Sequence, residues 1–315
     1  MKSVSNDRIQ LTLNVCHLYY EGNLSQNEIA KKLSISRPTV SRLLQSALEQ
    51  GLVKIEIIDP LENLTMLAKQ LEQKYQLKKV LIAYDATNDT TLINDKLGEL
   101  AAQFLDEIVE DHDRIGISWG HTLEAVASHL KPSERRDVSV IQLKGSVPAS
   151  DMNNFANDIN QKFGNAFQTN TLNLPLPVIF DTAVTKEIVS KDRFIQALIE
   201  AGLRTNIALF TSGTVRSNAM LFNLGYLSPA EIERVQKNSV GDIISRFITP
   251  NGQIADPDID ARTVAISLEA LKHKKYSMLI AGSSKKVASI HAALSGGYAN
   301  VLITDSQTAA ALLKL

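Results

Sequence analysis

Three segments near the start of the chain place apolar residues at helical spacing. In residues 8–20 these are Ile9, Leu13, Cys16 and Tyr20, which recur every three or four positions and therefore share one helix face. The first predicted helix covers this segment, and Cys16 is expected to lie in its core. Two further helices follow after short turns.

Ser25 and Glu28 have the capping-box spacing that marks the start of the second helix. Ser36 caps the third, whose first turn tolerates Pro38 because early helical N–H groups have no intrahelical partner. Gly51 ends this helix. Apolar residues line one face of each helix, namely Ile29, Ala30 and Leu33 in the second and Val40, Leu43, Leu44 and Ala47 in the third.

The chain divides at a sequence that disfavours regular structure. Residues 52–58 alternate apolar and polar side chains, which predicts a short strand. Asp59-Pro60 then breaks the pattern. We expect an N-terminal all-α helix-turn-helix domain of the winged type over residues 1–58 and a second domain over residues 59–315.

Beyond the boundary, short apolar runs alternate with helical patterns. This order predicts an α/β domain with a mostly parallel sheet covered on both faces. Asn251-Gly252 is expected to turn a hairpin between residues 244–248 and 253–254. The predicted strands are residues 79–84, 113–118, 138–143, 205–211, 278–281 and 300–304, and the predicted helices are 62–75, 93–110, 121–130, 184–202, 228–236, 285–295 and 306–314.

Composition narrows the class of protein. With 44% hydrophobic and 21% charged residues, the chain is typical of a globular protein. No apolar run reaches the length of a membrane span, and the N-terminus has no signal-peptide core, so we expect a cytoplasmic protein. The lone Cys16 excludes an internal disulfide, and the six histidines lack metal-ligand spacing, so no metal or cofactor is expected.

The net charge of −1 conceals an asymmetry. Residues 1–58 carry seven basic and five acidic residues, whereas the remaining residues carry 26 and 29. Residues 29–54 hold five basic residues against the single acidic residue Glu49. The positive charge is therefore concentrated on the second and third predicted helices, where it would favour a polyanion.

The two helices and their short turn match the helix-turn-helix geometry, in which the second helix presents its N-terminal residues to the major groove of DNA. An alternative is a three-helix packing module with solvated lysines, since the turn carries Ser34 where many such turns carry Gly. We favour DNA binding because polar residues occupy the exposed face. The expected DNA contacts are Lys31, Lys32, Arg37, Pro38, Thr39, Ser41, Arg42 and Lys54.

Three glycine-containing turns follow predicted strands in the second domain. A turn at a helix N-terminus offers free N–H groups that suit a phosphate, and such turns meet at one edge of a parallel sheet. Gly at such turns is also explained by sterics alone, and none matches the Walker A or GxGxxG pattern. The candidate ligand residues are Gly120, His121 and Thr122 in the first turn, Gly213 in the second, and Gly282, Ser283 and Lys285 in the third.

Lys144 closes the apolar run of residues 138–143. At the rim of a pocket its pKa would be lowered, and the neutral amine could form a Schiff base with an aldehyde. From spacing alone, a strand-end lysine that points into water is the commoner outcome. Asp242 likewise either accepts a sugar hydroxyl or caps a turn.

Several segments resemble the SorC-type family of bacterial sugar-responsive transcription regulators. The similarity covers almost the whole chain. It rests on SQNEIAKKLSISRPTVSRLLQSALEQGLVKIEI and DP in the first domain, and on ISWGHTL, VIQLKGS, LPLPVIF, NIALFTSGTVR, GYLSPAE, VGDIISRF and AGSSKKVASIHAALSGGYANVLITD in the second.

The resemblance implies a sugar-phosphate isomerase/deaminase-like effector domain that senses a ligand without turnover. The most similar members respond to deoxyribonucleosides and hold deoxyribose 5-phosphate as a Schiff base on the lysine of a QLKG segment, which corresponds here to Lys144. The phosphate would then lie on the turns at Gly120 and Gly282 with Lys285, and Gln142 and Asp242 would hold hydroxyls. His121 stands where a smaller hydroxyl residue is expected, so its backbone N–H is the implied contact.

The resemblance also implies partners and activity. The expected function is that of a repressor that binds palindromic operator DNA as a homodimer or homotetramer and is induced by the sugar phosphate. A regulator that binds another phosphorylated sugar noncovalently is one alternative. An isomerase or deaminase with an N-terminal appendage is another, but no paired carboxylate and base can be placed in the sequence.

Overall fold

The computed structural model describes residues 2–55, 60–84, 89–148, 151 and 153–315. The chain divides into two compact units, one up to residue 59 and the other from residue 60. Among the described residues, every strand belongs to the second unit. Within the same ranges, no helix combines the length and apolar character needed to cross a bilayer.

The described part of the first unit contains three α-helices. Helix α1 (Lys2–Cys16) continues into a π-helical turn (His17–Glu21), and α2 (Gln26–Lys32) and α3 (Arg37–Glu49) follow. The predicted apolar face of the third helix is confirmed. The unit's buried core consists of Val15, Cys16, Ile29, Val40, Leu43, Leu44 and Ala47.

The predicted face of the first helix is only partly correct. Cys16 is buried as expected, but Ile9 and Tyr20 are exposed and Val15 is buried instead. The π-helical turn has a wider repeat than an α-helix, so the α-helical period does not extend to Tyr20.

The strand predicted over residues 52–58 is absent from its described part, residues 52–55. Residues 52–55 form bends and irregular backbone. Residues 56–58, like Asp59 of the predicted boundary, lie outside the described residues. The wing therefore stays a prediction.

The second unit is built on a parallel sheet in the order β1-β8-β7-β4-β2-β3. All six predicted strands are confirmed, with ends shifted by one or two residues. Their bounds are β1 (Lys79–Ala83), β2 (Arg114–Ile117), β3 (Ser139–Gln142), β4 (Ile207–Phe210), β7 (Tyr276–Ile280) and β8 (Val301–Asp305), and a separate antiparallel pair consists of β5 (Gly241–Ile243) and β6 (Arg246–Ile248).

Helices cover both faces of the sheet, as predicted. Within β4, Leu209 belongs to one apolar core and Ala208 and Phe210 to the other, which is the alternation expected of a strand buried on both sides. The helices are α4 (Pro60–Tyr75), α5 (Thr90–Ile108), α6 (His121–His129), α7 (Ala156–Ala166), α8 (Ala183–Ser190), α9 (Arg193–Leu203), α10 (Met220–Asn223), α11 (Pro229–Asn238), α12 (Pro257–Ala261), α13 (Leu268–Lys272), α14 (Val287–Ser295) and α15 (Ser306–Lys314).

Two predicted elements differ from the structure. The helix expected over residues 184–202 is two helices, because Asp192 Oδ1 accepts the backbone N–H groups of Phe194 and Ile195 and begins α9 anew. The expected hairpin around Asn251-Gly252 is reduced to an isolated bridge between Ile248 and Ile254. The hairpin that forms is β5–β6, which turns earlier, at residues 244–245.

Candidate functional site

A cavity of about 450 Å³ opens at the carboxyl edge of the sheet, where β2, β3, β4 and β7 end. Ligands of open α/β sheets bind at this edge. The β5–β6 hairpin closes one side. Eight of the predicted ligand residues line the cavity, namely Gly120, His121, Thr122, Lys144, Gly213, Asp242, Ser283 and Lys285.

The Lys144 side chain lies inside this cavity and is 5% exposed. Its Nζ donates to Ser245 Oγ at 3.1 Å and lies 3.4 Å from the centre of the Trp119 ring. Burial lowers the pKa of Lys144 to about 8, although nearby Asp242 favours the charged form. The side chain therefore points inward, and its amine is neutral in a substantial fraction of molecules near pH 8.

Asp242, on β5, is the carboxylate of the site. Burial raises its pKa, while Lys144, the backbone N–H of Ser245 and Lys286 favour its ionised form. Asp242 Oδ2 accepts that N–H at 3.0 Å. Asp242 thus closes a turn, which is one of its two predicted roles, and it also lines the cavity.

Lys286 is the cationic residue that the sequence did not single out. Its Nζ donates to Thr211 Oγ1 at 3.3 Å, and burial lowers its pKa to about 8, opposed by Asp242. Lys285, the predicted residue, is exposed and lies at the cavity rim. The sequence shows both lysines, but the direction of each side chain depends on the 3-10 turn (Ser284–Lys286) that precedes α14.

Two glycines of the site are required by close contacts with carboxylates. A Cβ on Gly213 would overlap Asp242 Oδ1, and a Cβ on Gly282 would overlap Asp305 Oδ2. Asp305 also accepts the backbone N–H of Ser283 at 2.8 Å. Gly282 supports this turn and does not itself line the cavity, which corrects its expected place in the ligand site.

The turn before α6 presents backbone rather than side-chain groups. Gly120 has a φ of +122° and begins the helix. Thr122 is buried and donates to Asn94 Oδ1 at 3.0 Å. His121 is exposed, with its ring centroid 4.9 Å from that of Phe155.

Gln142 does not line this cavity, contrary to its expected role. Its side-chain oxygen accepts the backbone N–H of Leu174 at 2.7 Å. The residue contributes instead to a second cavity, of about 300 Å³, beside α9. The local bond to Leu174 orients the amide away from the ligand cavity.

In the first unit, the predicted caps of both helices form. Ser25 and Glu28 make a reciprocal capping box at the start of α2, and Ser36 Oγ accepts the backbone N–H of Thr39. Ser34, between the helices, has a φ of +54°. Thr39 is half-buried, and the remaining candidate DNA contacts are exposed, namely Lys31, Lys32, Arg37, Pro38, Ser41, Arg42 and Lys54.

Both units match known families. Residues 59–314 match the family described as "Putative sugar-binding domain", and residues 17–59 match the MarR family. The first match places the ligand cavity in a sugar-binding domain, and the second agrees with the helix-turn-helix geometry.

Two relatives and one solved structure match nearly the whole chain. The deoxyribonucleoside regulator of Bacillus subtilis is 45% identical over 98% of this chain and 99% of its own. The sorbitol operon regulator of Klebsiella pneumoniae is 30% identical over 98% and 99%. The crystal structure of full-length SorC from Klebsiella pneumoniae superposes with a TM-score of 0.75 at 27% identity, over 97% of this chain and 98% of that one.

These relatives are transcriptional regulators, not enzymes. The paired match to a sugar-binding domain and a helix-turn-helix region carries the same conclusion. The chain therefore belongs to the SorC-type family of bacterial sugar-responsive transcriptional regulators.

Proposed function

We propose that this protein represses genes of deoxyribonucleoside and deoxyribose catabolism, and that deoxyribose 5-phosphate induces them by forming a Schiff base with Lys144. The observation that carries the proposal is the buried amine of Lys144 inside the cavity, with its pKa lowered to about 8. The 45% identical deoxyribonucleoside regulator supports this choice of effector.

The chemistry follows from the state of the amine. A protonated lysine has no lone pair, whereas a desolvated neutral lysine attacks carbonyl carbons. Open-chain deoxyribose 5-phosphate offers an aldehyde at one end and a phosphate at the other. The aldehyde condenses with Lys144 Nζ, and Asp242 balances the charge of the protonated imine.

The phosphate is bound by other residues that line the cavity. Thr211 and Lys286 offer a hydroxyl and an ammonium there. The N-terminus of α6 adds backbone N–H groups at Gly120 and His121, whose partial positive charge favours an anion. In this assignment Lys286 replaces Lys285 as the principal cation, because Lys285 is exposed.

Operator DNA is bound by α3 in its major groove, with the chain acting in the cytoplasm as a homodimer or homotetramer on a palindromic site. The effector changes DNA affinity only by binding the two states of the protein with different affinity. We expect the adduct to disfavour the arrangement that matches both half-sites.

The covalent step is tested by borohydride reduction in the presence of deoxyribose 5-phosphate, followed by peptide mass spectrometry. We expect a reduced adduct on Lys144 and none in Lys144→Met. Lys274 is an internal control, because burial lowers its pKa to about 8 as well, but its Nζ caps the carbonyls of Gly202 and Leu203 outside the cavity.

A second measurement links the adduct to regulation. In an operator-binding titration, Lys144→Met should retain DNA binding and lose the response to deoxyribose 5-phosphate. An adduct on Lys274 instead, or an unchanged response of Lys144→Met, would contradict the covalent mechanism. Saturable binding without an adduct would indicate a noncovalent sensor of the sugar phosphate.

A further inference from the structure

The turn of the β5–β6 hairpin has a backbone conformation that its residues disfavour. Ile244 and Ser245 have φ values of +46° and +67°, whereas turns of this kind usually carry Asn-Gly. Both residues are buried. Strain of this type persists only where surrounding contacts enforce it, and it is concentrated at functional sites.

Arg246 anchors this turn to the strand segment that flanks Lys144. Its guanidinium donates to the carbonyls of Ile266 at 2.9 Å and Ala265 at 2.8 Å, and it pairs with Asp260. Ala265 in turn forms a bridge with Lys144. The hairpin is therefore held in fixed register with the backbone of the reactive lysine.

The hairpin places the hydroxyl of Ser245 in contact with the Lys144 amine. Ser245 Oγ lies 3.1 Å from Nζ and is fully buried, while its backbone N–H is bound by Asp242 Oδ2. We propose that Ser245 relays the proton during formation of the Lys144 adduct, and that Asp242 positions Ser245 for this role. The inference rests on the covalent step proposed above.

The relay balances as follows. The Nζ lone pair forms the C–N bond to the aldehyde carbon while the C=O π electrons move to oxygen. Nζ then gives one proton to Ser245 Oγ as the Ser245 hydroxyl gives its own proton to that oxygen, producing a carbinolamine. The second N–H proton then passes from Nζ through Ser245 to the carbinolamine hydroxyl, which leaves as water while the electron pair on nitrogen forms the C=N bond. Ser245 ends unchanged, and the neutral imine takes up one proton from solvent water to become the cationic imine.

Asp242 acts through Ser245 and through its charge. It holds the Ser245 backbone at the required distance and stabilises the cationic imine, but it contacts no reacting atom directly. It is therefore a positioning residue. Ser212, also fully buried in the cavity, bonds to Ser289 rather than to the amine, so the relay is assigned to Ser245 alone.

The test is the rate of adduct formation, measured by rapid mixing, borohydride quench and intact mass spectrometry. Ser245→Ala removes the hydroxyl, and Ser245→Gly removes it in a residue that favours positive φ. We expect both variants to form the adduct about 100-fold more slowly, within the range of general acid–base catalysis. Binding of the phosphorylated sugar alcohol, which has no carbonyl, should change less than twofold.

The matched control is Ser277→Ala, a buried serine on β7 that bonds to the Tyr298 carbonyl. It should form the adduct at the wild-type rate. A wild-type rate in Ser245→Gly would overturn the relay. Equal losses in rate and in sugar-alcohol binding would also overturn it, because they indicate a merely structural role.

Glycolaldehyde, assayed in parallel, separates the relay from the proposed effector. An adduct with glycolaldehyde but not with deoxyribose 5-phosphate would refute the effector, and the relay would still be measured on the smaller aldehyde. If the wild-type chain forms an adduct with neither, both proposals are overturned.

Discussion

At Lys144, neighbouring groups act on the charge of one amine in opposite directions. Burial favours the neutral form, while Asp242 favours the ammonium, as does the face of the Trp119 ring. Burial prevails, so the pKa falls to about 8 instead of remaining at 10.5. The amine can therefore both accept a proton and act as a nucleophile near neutral pH.

This balance predicts how adduct formation depends on pH. A group with a pKa of about 8 is about tenfold more abundant in its neutral form at pH 9 than at pH 7, so the rate at saturating effector should rise about tenfold over that interval. Lys286 loses its charge in the same range, so half-saturation should require more effector at the higher pH. Borohydride-quenched time courses measure both quantities. A rate that falls as the pH rises would contradict a neutral-amine nucleophile.

Gly213 gives a second test at the residue scale. Because a Cβ here would overlap Asp242 Oδ1, Gly213→Ala should displace the carboxylate and weaken effector binding at least tenfold. Operator binding without effector should persist. Calorimetry and an operator titration measure the two effects. Gly297→Ala is the control, since a Cβ there meets nothing and only its positive φ, which Gly213 lacks, would strain the backbone. Equal losses in the two variants would contradict the role assigned to the contact between Gly213 and Asp242.

At the residue scale, the sequence predicted which residue types form the site more accurately than it predicted the directions of their side chains. Lys144 and Asp242 were singled out, and both line the cavity. Lys285 was expected to bind the phosphate but lies exposed at the cavity rim, because a 3-10 turn sets its direction. Gln142 was expected in the cavity, but its amide is bound to Leu174 outside it. Neither the turn nor the bond leaves a periodic signal. Ser245 was missed because its importance depends on a contact 101 residues away.

At the scale of elements, the turn between α2 and α3 carries Ser34 in the left-handed region. Ser34→Gly should stabilise the first unit by about 0.5–1 kcal/mol, because glycine adopts this conformation without the steric cost of a Cβ. Ser46→Gly, inside α3, should destabilise it by about as much. Hydrogen exchange of the α2 and α3 amides, measured in the full chain, compares the stability of the two variants. Exchange in Ser34→Gly that is no slower than in the wild-type chain would refute the assigned strain.

Most elements with a strong period were predicted, but α7 was not, although its buried residues recur at helical spacing. The six sheet strands and the capped helices of the first unit follow directly from apolar spacing and from Ser25, Glu28 and Ser36. The break at Asp192 was missed because apolar residues continue on both sides of it. The hairpin was predicted at the wrong position, because Asn251-Gly252 is a stronger turn signal than Ile244-Ser245. The turn at Ile244-Ser245 depends instead on the contacts that Arg246 makes with distant segments.

At the scale of the whole molecule, we propose that a chain with a net charge of −1 binds DNA through the basic residues exposed on α2 and α3. Lys31→Ala should lower affinity equally for all sequences and reduce the salt slope by about 1, as expected for a phosphate contact. Arg37→Ala should cost about 1–3 kcal/mol on the operator and relax its specificity. Binding titrations over a range of salt measure both. Lys69→Ala, an exposed lysine in the second unit, is the control, and an effect as large as that of Lys31→Ala would contradict the assigned surface.

Trp119 is the chain's single tryptophan, and its ring lies against the amine that we propose to react. The tryptophan fluorescence of the protein is therefore the emission of one indole beside Lys144. Conversion of an ammonium to an imine at that distance changes the local field and the quenching of the ring. Under the proposed mechanism, the emission of Trp119 therefore reports effector occupancy without an added label.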